Sequence, residues 1–70
     1  MTISAQAALR AASERLAAIS DTARLDAEVL MAHAAGLSRG ELLLRLRDME
    51  EPAGFAALVD RRAAREPVSH

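Results

Sequence analysis

Residues 24–39 read RLDAEVLMAHAAGLSR, a pattern that indicates one helix, a stop and the start of a second helix. The first twelve of these residues carry apolar side chains on nearly every side, which is typical of a helix buried by several neighbours. Gly36 stands where helices commonly end in the left-handed conformation. Ser38 and Glu41 then fit a capping box, in which each side chain bonds the backbone N–H of the other. We therefore expect a central helix at residues 22–35, followed directly by another helix.

Helices are also predicted on both sides of this segment. At the N-terminus, apolar residues recur at helical spacing, and they are Ala5, Ala8, Leu9, Ala12, Leu16 and Ile19. Pro52 suits the first turn of a last helix, which Glu66-Pro67 ends because the residue before proline avoids helical conformation. The fold class is therefore all-α, a small orthogonal bundle of four to five short helices. The predicted helices cover residues 3–19, 22–35, 39–47 and 52–65.

The composition points to one small domain covering residues 1–70. Of these 70 residues, 51% are hydrophobic, but Phe55 is the only aromatic residue and alanine supplies much of the apolar content. The net charge of −1 offers no basic footprint for a phosphate backbone. Without cysteine there are no disulfides or thiolate metal sites, and no apolar run is long enough to cross a bilayer. We expect a cytoplasmic monomer that contacts neither nucleic acid nor membrane directly.

An ion pair is predicted between the last helix and the central helix. Arg62 falls in the middle of the arc defined by Phe55, Leu58 and Val59, so its stem should lie on the core. A guanidinium in that position needs a carboxylate, because an unpaired buried charge is very costly. Asp26 and Glu28 are the expected partners. We interpret this group as structural.

No residue of the chain is predicted to be catalytic, to bind a cofactor or to ligate a metal. His33 and Asp26 are two helical turns apart, about 10 Å, which is too far to share a metal easily. A half-buried histidine near a helix end is the simpler interpretation of His33. His70 has no second ligand near it in sequence, and Ser38 is a cap and not a nucleophile.

The third helix carries more leucines than one narrow face can bury, namely Leu42, Leu43, Leu44 and Leu46. Leu44 projects opposite Leu42 and Leu46, so one side of this helix stays uncovered in a small bundle. Exposed apolar area often marks a docking surface. The sequence leaves two possibilities open: this side meets another domain or protein, or the first helix covers it.

A DNA-binding module is the alternative from a different class of function. Residues 32–46 have the spacing of a helix-turn-helix unit, whose second helix presents polar side chains to base edges. Here that helix presents mainly leucines, on a domain with a net charge of −1. We therefore keep a stand-alone helical interaction module, with or without DNA binding, as the second hypothesis.

The motifs taken together resemble one known family. They are Arg24-Leu25-Asp26-Ala27-Glu28, His33, Gly36-Leu37-Ser38-Arg39, Leu42, Arg61-Arg62 and the terminal Glu66-Pro67-Val68-Ser69-His70. Their order and distances resemble the N-terminal domain of the release factor glutamine methyltransferases. The resemblance covers residues 22–70, while the first helix is similar only in type.

The resemblance implies a division of labour between two domains. In that family a small helical domain precedes a methyltransferase domain, which binds S-adenosylmethionine and methylates N5 of the glutamine in a Gly-Gly-Gln motif of peptide chain release factors, which act in translation termination. We therefore expect a catalytic domain after residue 70, and no catalytic role or cofactor in the present chain. The implied partners are release factors and that catalytic domain. The candidate partner-contact residues are Arg39, Leu43, Leu44, Arg47, Arg61 and Arg65.

Overall fold

The computed structural model describes residues 3–65, with the backbone alone at Arg65. Within this range the chain forms four α-helices, and no strand is present among these residues. They are α1 (Ala5–Leu16), α2 (Ala23–Ala35), α3 (Arg39–Arg45) and α4 (Phe55–Arg65), with a 3₁₀ turn (Leu46–Asp48) after α3. The predicted all-α class is thereby confirmed.

Helix α1 is held at its start by a cap and buries the face that was predicted. The hydroxyl of Ser4 accepts a hydrogen bond from the backbone N–H of Ala7 at 3.1 Å, which satisfies one of the free donors of the first turn. The buried residues are Ala5, Ala8, Leu9, Ala12 and Leu16. The predicted extension to Ile19 is wrong: the backbone N–H of Ile19 bonds Leu16 in a tight turn, and its side chain is exposed.

Helix α2 contacts the other three helices, as a central helix should, but it is not buried on every side. The buried residues are Ala23, Ala27, Glu28, Met31 and Ala32. Leu25 and Val29 are 44% and 51% exposed, so burial of the larger aliphatic residues was the wrong expectation. Most of the buried residues of α2 are alanines, and helices with small side chains at their contact can approach each other closely.

The turn between α2 and α3 forms as the sequence predicts. Gly36 has φ +73° and ψ +30°, and the N–H of Leu37 bonds the carbonyl of Ala32 at 3.0 Å. This left-handed residue ends α2 at little cost because glycine has no Cβ. Ser38 and Glu41 make both hydrogen bonds of the capping box, each at 3.1 Å. The start of α3 is therefore fixed by local chemistry.

The link from α3 to α4 differs from the prediction. Helix α3 ends earlier than residue 47 and continues as the 3₁₀ turn. The next residues pair with the N-terminus, where the N–H of Ala5 bonds Met49 at 2.9 Å. Helix α4 begins at Phe55 and not at Pro52, because Gly54 has φ +88° and breaks the helical path before it. The predicted end of α4 at Glu66-Pro67 lies outside the described residues.

The four helices enclose one core with five large, fully buried side chains: Leu9, Leu16, Met31, Leu42 and Phe55. Alanines from α1 and α2 fill the space between them. Burial of these apolar side chains stabilises the fold by about 1.5–3 kcal/mol each. Among residues 3–65, no helix combines the length and apolar character that a bilayer crossing needs. The core thus leaves the outer sides of α2 and α3 available to other contacts.

Candidate functional site

Two carboxylates of α2 organise the polar surface of the bundle. Asp26 and Glu28 are two residues apart, and a helix turns by about 100° per residue, so their side chains leave α2 about 200° apart. Asp26 bonds a residue of α4, whereas Glu28 bonds a residue of α3. The short acidic pair therefore ties the central helix to both of its later neighbours.

Glu28 is the only charged residue that is buried among those described, with 5% of its surface exposed. Nε of Arg24 donates to Oε2 at 2.8 Å, and Nε of Arg39 donates to Oε1 at 2.7 Å. We refer to these three residues as the arginine clamp. Each carboxylate oxygen thus accepts a charge-assisted hydrogen bond, which compensates the burial of the carboxylate.

The predicted pairing of Glu28 with Arg62 is wrong. Arg62 lies on α4 and bonds Asp26, whose side chain leaves α2 on a different side from that of Glu28. The arginines that reach Glu28 come from one turn earlier on α2 and from the first residue of α3. Sequence spacing gave a signal for Arg24, since it precedes Glu28 by four residues. The turn at Gly36 brings Arg39 back onto α2, which spacing alone does not reveal.

The clamp keeps Glu28 ionised. Burial raises the pKa of Glu28, but the hydrogen bonds from Arg24 and Arg39 and the charges of both guanidinium groups outweigh it, so the pKa lies below its usual value of 4.5. With Glu28 ionised, the three side chains carry a net charge of +1. The clamp is therefore a fixed positive site at the junction of α2 and α3.

Asp26 forms the predicted ion pair with Arg62. Nη2 of Arg62 donates to Oδ2 of Asp26 at 3.2 Å. The hydroxyls of Ser20 and Thr22 donate to the same carboxylate at 2.7 and 3.3 Å. The Ser20 hydrogen bond is the main reason why the pKa of Asp26 lies below its usual value of 3.8, with Arg62 contributing less. Asp26 thus joins the α1–α2 turn to α4.

The side chain of Arg62 is half-exposed, and the placement of its stem on the core stays a prediction. Helix α4 buries Phe55 and Val59 and partly buries Ala63, which are spaced by four residues and form its inner face. Arg62 follows Phe55 by seven residues, so it lies on the same side of α4, and its guanidinium reaches Asp26. The structural interpretation of this pair stays a prediction.

The predicted partner-contact residues lie in different settings. Leu43 and Leu44 are 41% and 86% exposed, so the first helix does not cover this side of α3. Arg47 and Arg61 are exposed, on the 3₁₀ turn and on α4. The side chain of Arg39 is also half-exposed, but it belongs to the clamp. The side chain of Arg65 lies outside the described residues.

A second exposed stripe was missed by reasoning from the sequence. Leu25, Val29 and His33 follow one another at intervals of four residues along the outer side of α2, and all three are exposed. The half-buried placement predicted for His33 is therefore wrong. The regular spacing was a visible signal, but alanines at other positions of α2 compete with it for the core. Sequence periodicity does not show which of two apolar faces of one helix is buried.

The described residues show no arrangement typical of catalysis or metal binding. Ser38 is occupied as the cap of α3. Residues 3–65 contain no group of three or more His, Cys, Asp or Glu side chains that could hold a metal ion, and His70 falls beyond them. What the arrangement offers is a surface of exposed leucines beside arginines, which is suited to binding.

The helix-turn-helix hypothesis gains little from this geometry. Helix α3 has seven residues, and its exposed side presents Leu43 and Leu44, which cannot hydrogen-bond base edges. The Nε–H of Arg39 is engaged by Glu28 of α2. DNA binding stays an untested alternative with few candidate contacts.

Comparison with known proteins gives one family and two relatives. The family described as PrmC N-terminal domain matches residues 7–70. Over 46 residues the chain is 52% identical to the release factor glutamine methyltransferase of Corynebacterium glutamicum, covering 66% of the chain and 16% of that protein. Over 65 residues it is 45% identical to the release factor glutamine methyltransferase of Mycolicibacterium smegmatis, covering 90% of the chain and 23% of that protein. No solved structure matches significantly. The chain thus corresponds to less than a quarter of the length of these relatives.

Proposed function

Since the chain belongs to the family of PrmC N-terminal domains, we propose that it is the substrate-docking domain of a release factor glutamine methyltransferase. In this proposal a catalytic domain of the longer protein transfers a methyl group to N5 of the glutamine in a Gly-Gly-Gln motif of a release factor. The helical domain holds the release factor while the reaction takes place elsewhere. The family match over residues 7–70 is the observation that carries the proposal.

The described surface supports a docking role. Leu43 and Leu44 present apolar area on α3, and Arg47 and Arg61 add positive charge around the bundle. Apolar anchors beside arginines are common where proteins bind each other. Binding energy gained on such a surface can position a substrate whose reacting atoms lie far away. A domain without catalytic groups can raise the efficiency of methylation in this way.

The proposal assigns no site for the methyl donor, S-adenosylmethionine, to the described helices. A cofactor site of this kind needs a glycine-rich turn between a strand and a helix, and residues 3–65 form no strand. We assign donor binding to the catalytic domain that the proposal places after residue 70.

A domain exchange tests the proposed function. The matching N-terminal segment of the M. smegmatis relative is replaced by this chain, and methylation of a release factor is followed by mass spectrometry. We expect the chimera to methylate the release factor with a KM within a few-fold of the unaltered relative. The control is the relative without its N-terminal segment, whose KM should be much higher. A chimera that behaves like this truncated control would overturn the proposal.

A domain that only covers and stabilises the catalytic domain would give a different result. Charged substitutions at Leu43 and Leu44 would then leave the KM for the release factor unchanged while lowering thermal stability of the chimera. Under the docking proposal the same substitutions raise the KM, because they place charge in an apolar contact. Measuring KM and melting temperature on the same samples separates the two roles.

A further inference from the structure

The arginine clamp has a geometry that a merely structural ion pair does not require. Glu28 is buried, but the side chains of Arg24 and Arg39 are 57% and 52% exposed. Each guanidinium carries five N–H donors, and the two oxygens of Glu28 can accept only a few of the ten. Most of the donors of both arginines therefore stay available to a ligand.

Glu28 also fixes how the two guanidinium groups are presented. Both arginines bond the carboxylate through Nε, so the terminal nitrogens of each guanidinium are not used in these two hydrogen bonds. A long arginine side chain otherwise loses much of its rotamer entropy when it is ordered by a partner. In the clamp, part of that ordering is already present before binding.

The clamp lies between exposed apolar side chains of α2 and α3. Leu43 follows Arg39 by four residues, so both lie on the same side of α3, and Leu43 is exposed. Leu25 precedes Glu28 by three residues on α2 and is exposed as well. A partner that fits this surface has carboxylates for the two guanidinium groups and apolar side chains for the flanking leucines.

From this geometry we infer that the arginine clamp binds an acidic segment of a partner protein, with Glu28 as the positioning residue for Arg24 and Arg39. Guanidinium groups pair with carboxylates through two parallel hydrogen bonds, and the clamp is positive by one charge. The flanking leucines favour a protein segment over a nucleic acid, as does the chain's net charge of −1. The inference rests on the proposed docking function, because a release factor would supply the segment.

The sharpest test makes the clamp more positive and measures whether an acidic ligand then binds more weakly or more tightly. Glu28→Gln raises the charge of the clamp from +1 to +2 but removes one strong acceptor. If attraction alone mattered, an acidic ligand would bind the variant more tightly. Since Glu28 holds the arginines in place, we expect Glu28→Gln to weaken binding of the acidic peptide hexaglutamate about threefold or more. Glu14→Gln is the matched control, because it makes the same charge change in the exposed Arg10–Glu14 pair.

The site is located by nuclear magnetic resonance of the arginine Nε–H groups. On titration with hexaglutamate, we expect the largest shifts at Arg24 and Arg39, and smaller shifts at Arg10 and Arg47. Arg39→Lys keeps the positive charge and changes no residue of the core. It should weaken hexaglutamate binding several-fold, whereas Arg10→Lys should not. Equal shifts at all arginines, or tighter binding by Glu28→Gln, would overturn the inference. So would a higher affinity for duplex DNA than for hexaglutamate.

The same variants are then measured for binding to a release factor by calorimetry. We expect Arg39→Lys and Glu28→Gln to weaken this binding about tenfold, and Arg10→Lys and Glu14→Gln to leave it unchanged. Release factor binding that ignores the clamp variants would contradict the inference and leave the proposed function standing. If the chain binds hexaglutamate at the clamp but no release factor, the clamp stands and the docking function fails.

Discussion

Asp26 and Glu28 lie in the same turn of α2, but their surroundings differ. The difference distinguishes an ion pair that joins elements of the fold from a group that can also bind a partner. Asp26 is held by two hydroxyls and one arginine, and it joins the α1–α2 turn to α4. Glu28 is buried and is held by two arginines. The Asp26 group has one half-exposed arginine, whereas two half-exposed arginines surround Glu28. The arginine clamp satisfies its carboxylate and still presents most of its donors to solvent.

The comparison is tested first by removing each carboxylate. Glu28→Ala should lower the free energy of unfolding by about 2 kcal/mol, because two charge-assisted hydrogen bonds are lost at a buried position. Asp26→Ala should cost about 1 kcal/mol, since the side chain of Asp26 is 22% exposed and that of Glu28 only 7%. Glu14→Ala, in an exposed pair on α1, is the control and should have almost no effect. Urea unfolding gives all three values, and a larger loss for Asp26→Ala than for Glu28→Ala would break the comparison.

Removing an arginine from Glu28 should also cost more free energy of unfolding than removing the arginine from Asp26, but by a smaller margin. Arg39→Ala leaves the buried carboxylate of Glu28 with one arginine, so we expect a loss of about 1 kcal/mol. Arg62→Ala leaves Asp26 with Ser20 and Thr22, and the loss should be about 0.5 kcal/mol. Both values come from the same urea unfolding experiment. Equal losses would mean that burial does not distinguish the two carboxylates.

The acid dependence of stability should sharpen the comparison further. The pKa of both carboxyls is lowered in the folded chain, so the unfolded chain binds more protons at acid pH. The stability they contribute is therefore full above their usual pKa values of 4.5 and 3.8 and is lost as the pH falls through the lower folded values. Glu28→Gln and Asp26→Asn should each flatten the decline measured by urea unfolding between neutral pH and about pH 3. An unchanged decline in both variants would contradict the assignment.

Local signals in the sequence were sufficient for much of the fold. The capping box of Ser38 and Glu41, the left-handed Gly36 and the buried face of α1 depend on residues a few positions apart, and all three were predicted. The errors at Ile19 and Pro52 concern helix ends. There a turn and the positive φ of Gly54 compete with helix propensity, and the sequence gives no measure of that competition.

The surface was harder to predict, because it depends on how the helices pack. Helix α2 has an alanine face and a face of Leu25 and Val29, and the alanine face is the one that is buried. The partner of Glu28 follows from the path of the chain around Gly36, which brings Arg39 back to α2. The exposure of Leu44 was left open and is decided by the same packing. Tertiary contacts therefore determine which of the predicted residues can meet a partner.

Docking by this domain is tested most directly through the kinetics of release factor methylation. In the chimera with the M. smegmatis relative, Arg39→Lys and Glu28→Gln are compared with Arg10→Lys and Glu14→Gln. We expect the two clamp variants to raise the KM for the release factor about tenfold, with kcat at saturating release factor unchanged, because only binding away from the reacting atoms is altered. An unchanged KM in the clamp variants, or a fall in kcat alone, would contradict docking through the arginine clamp.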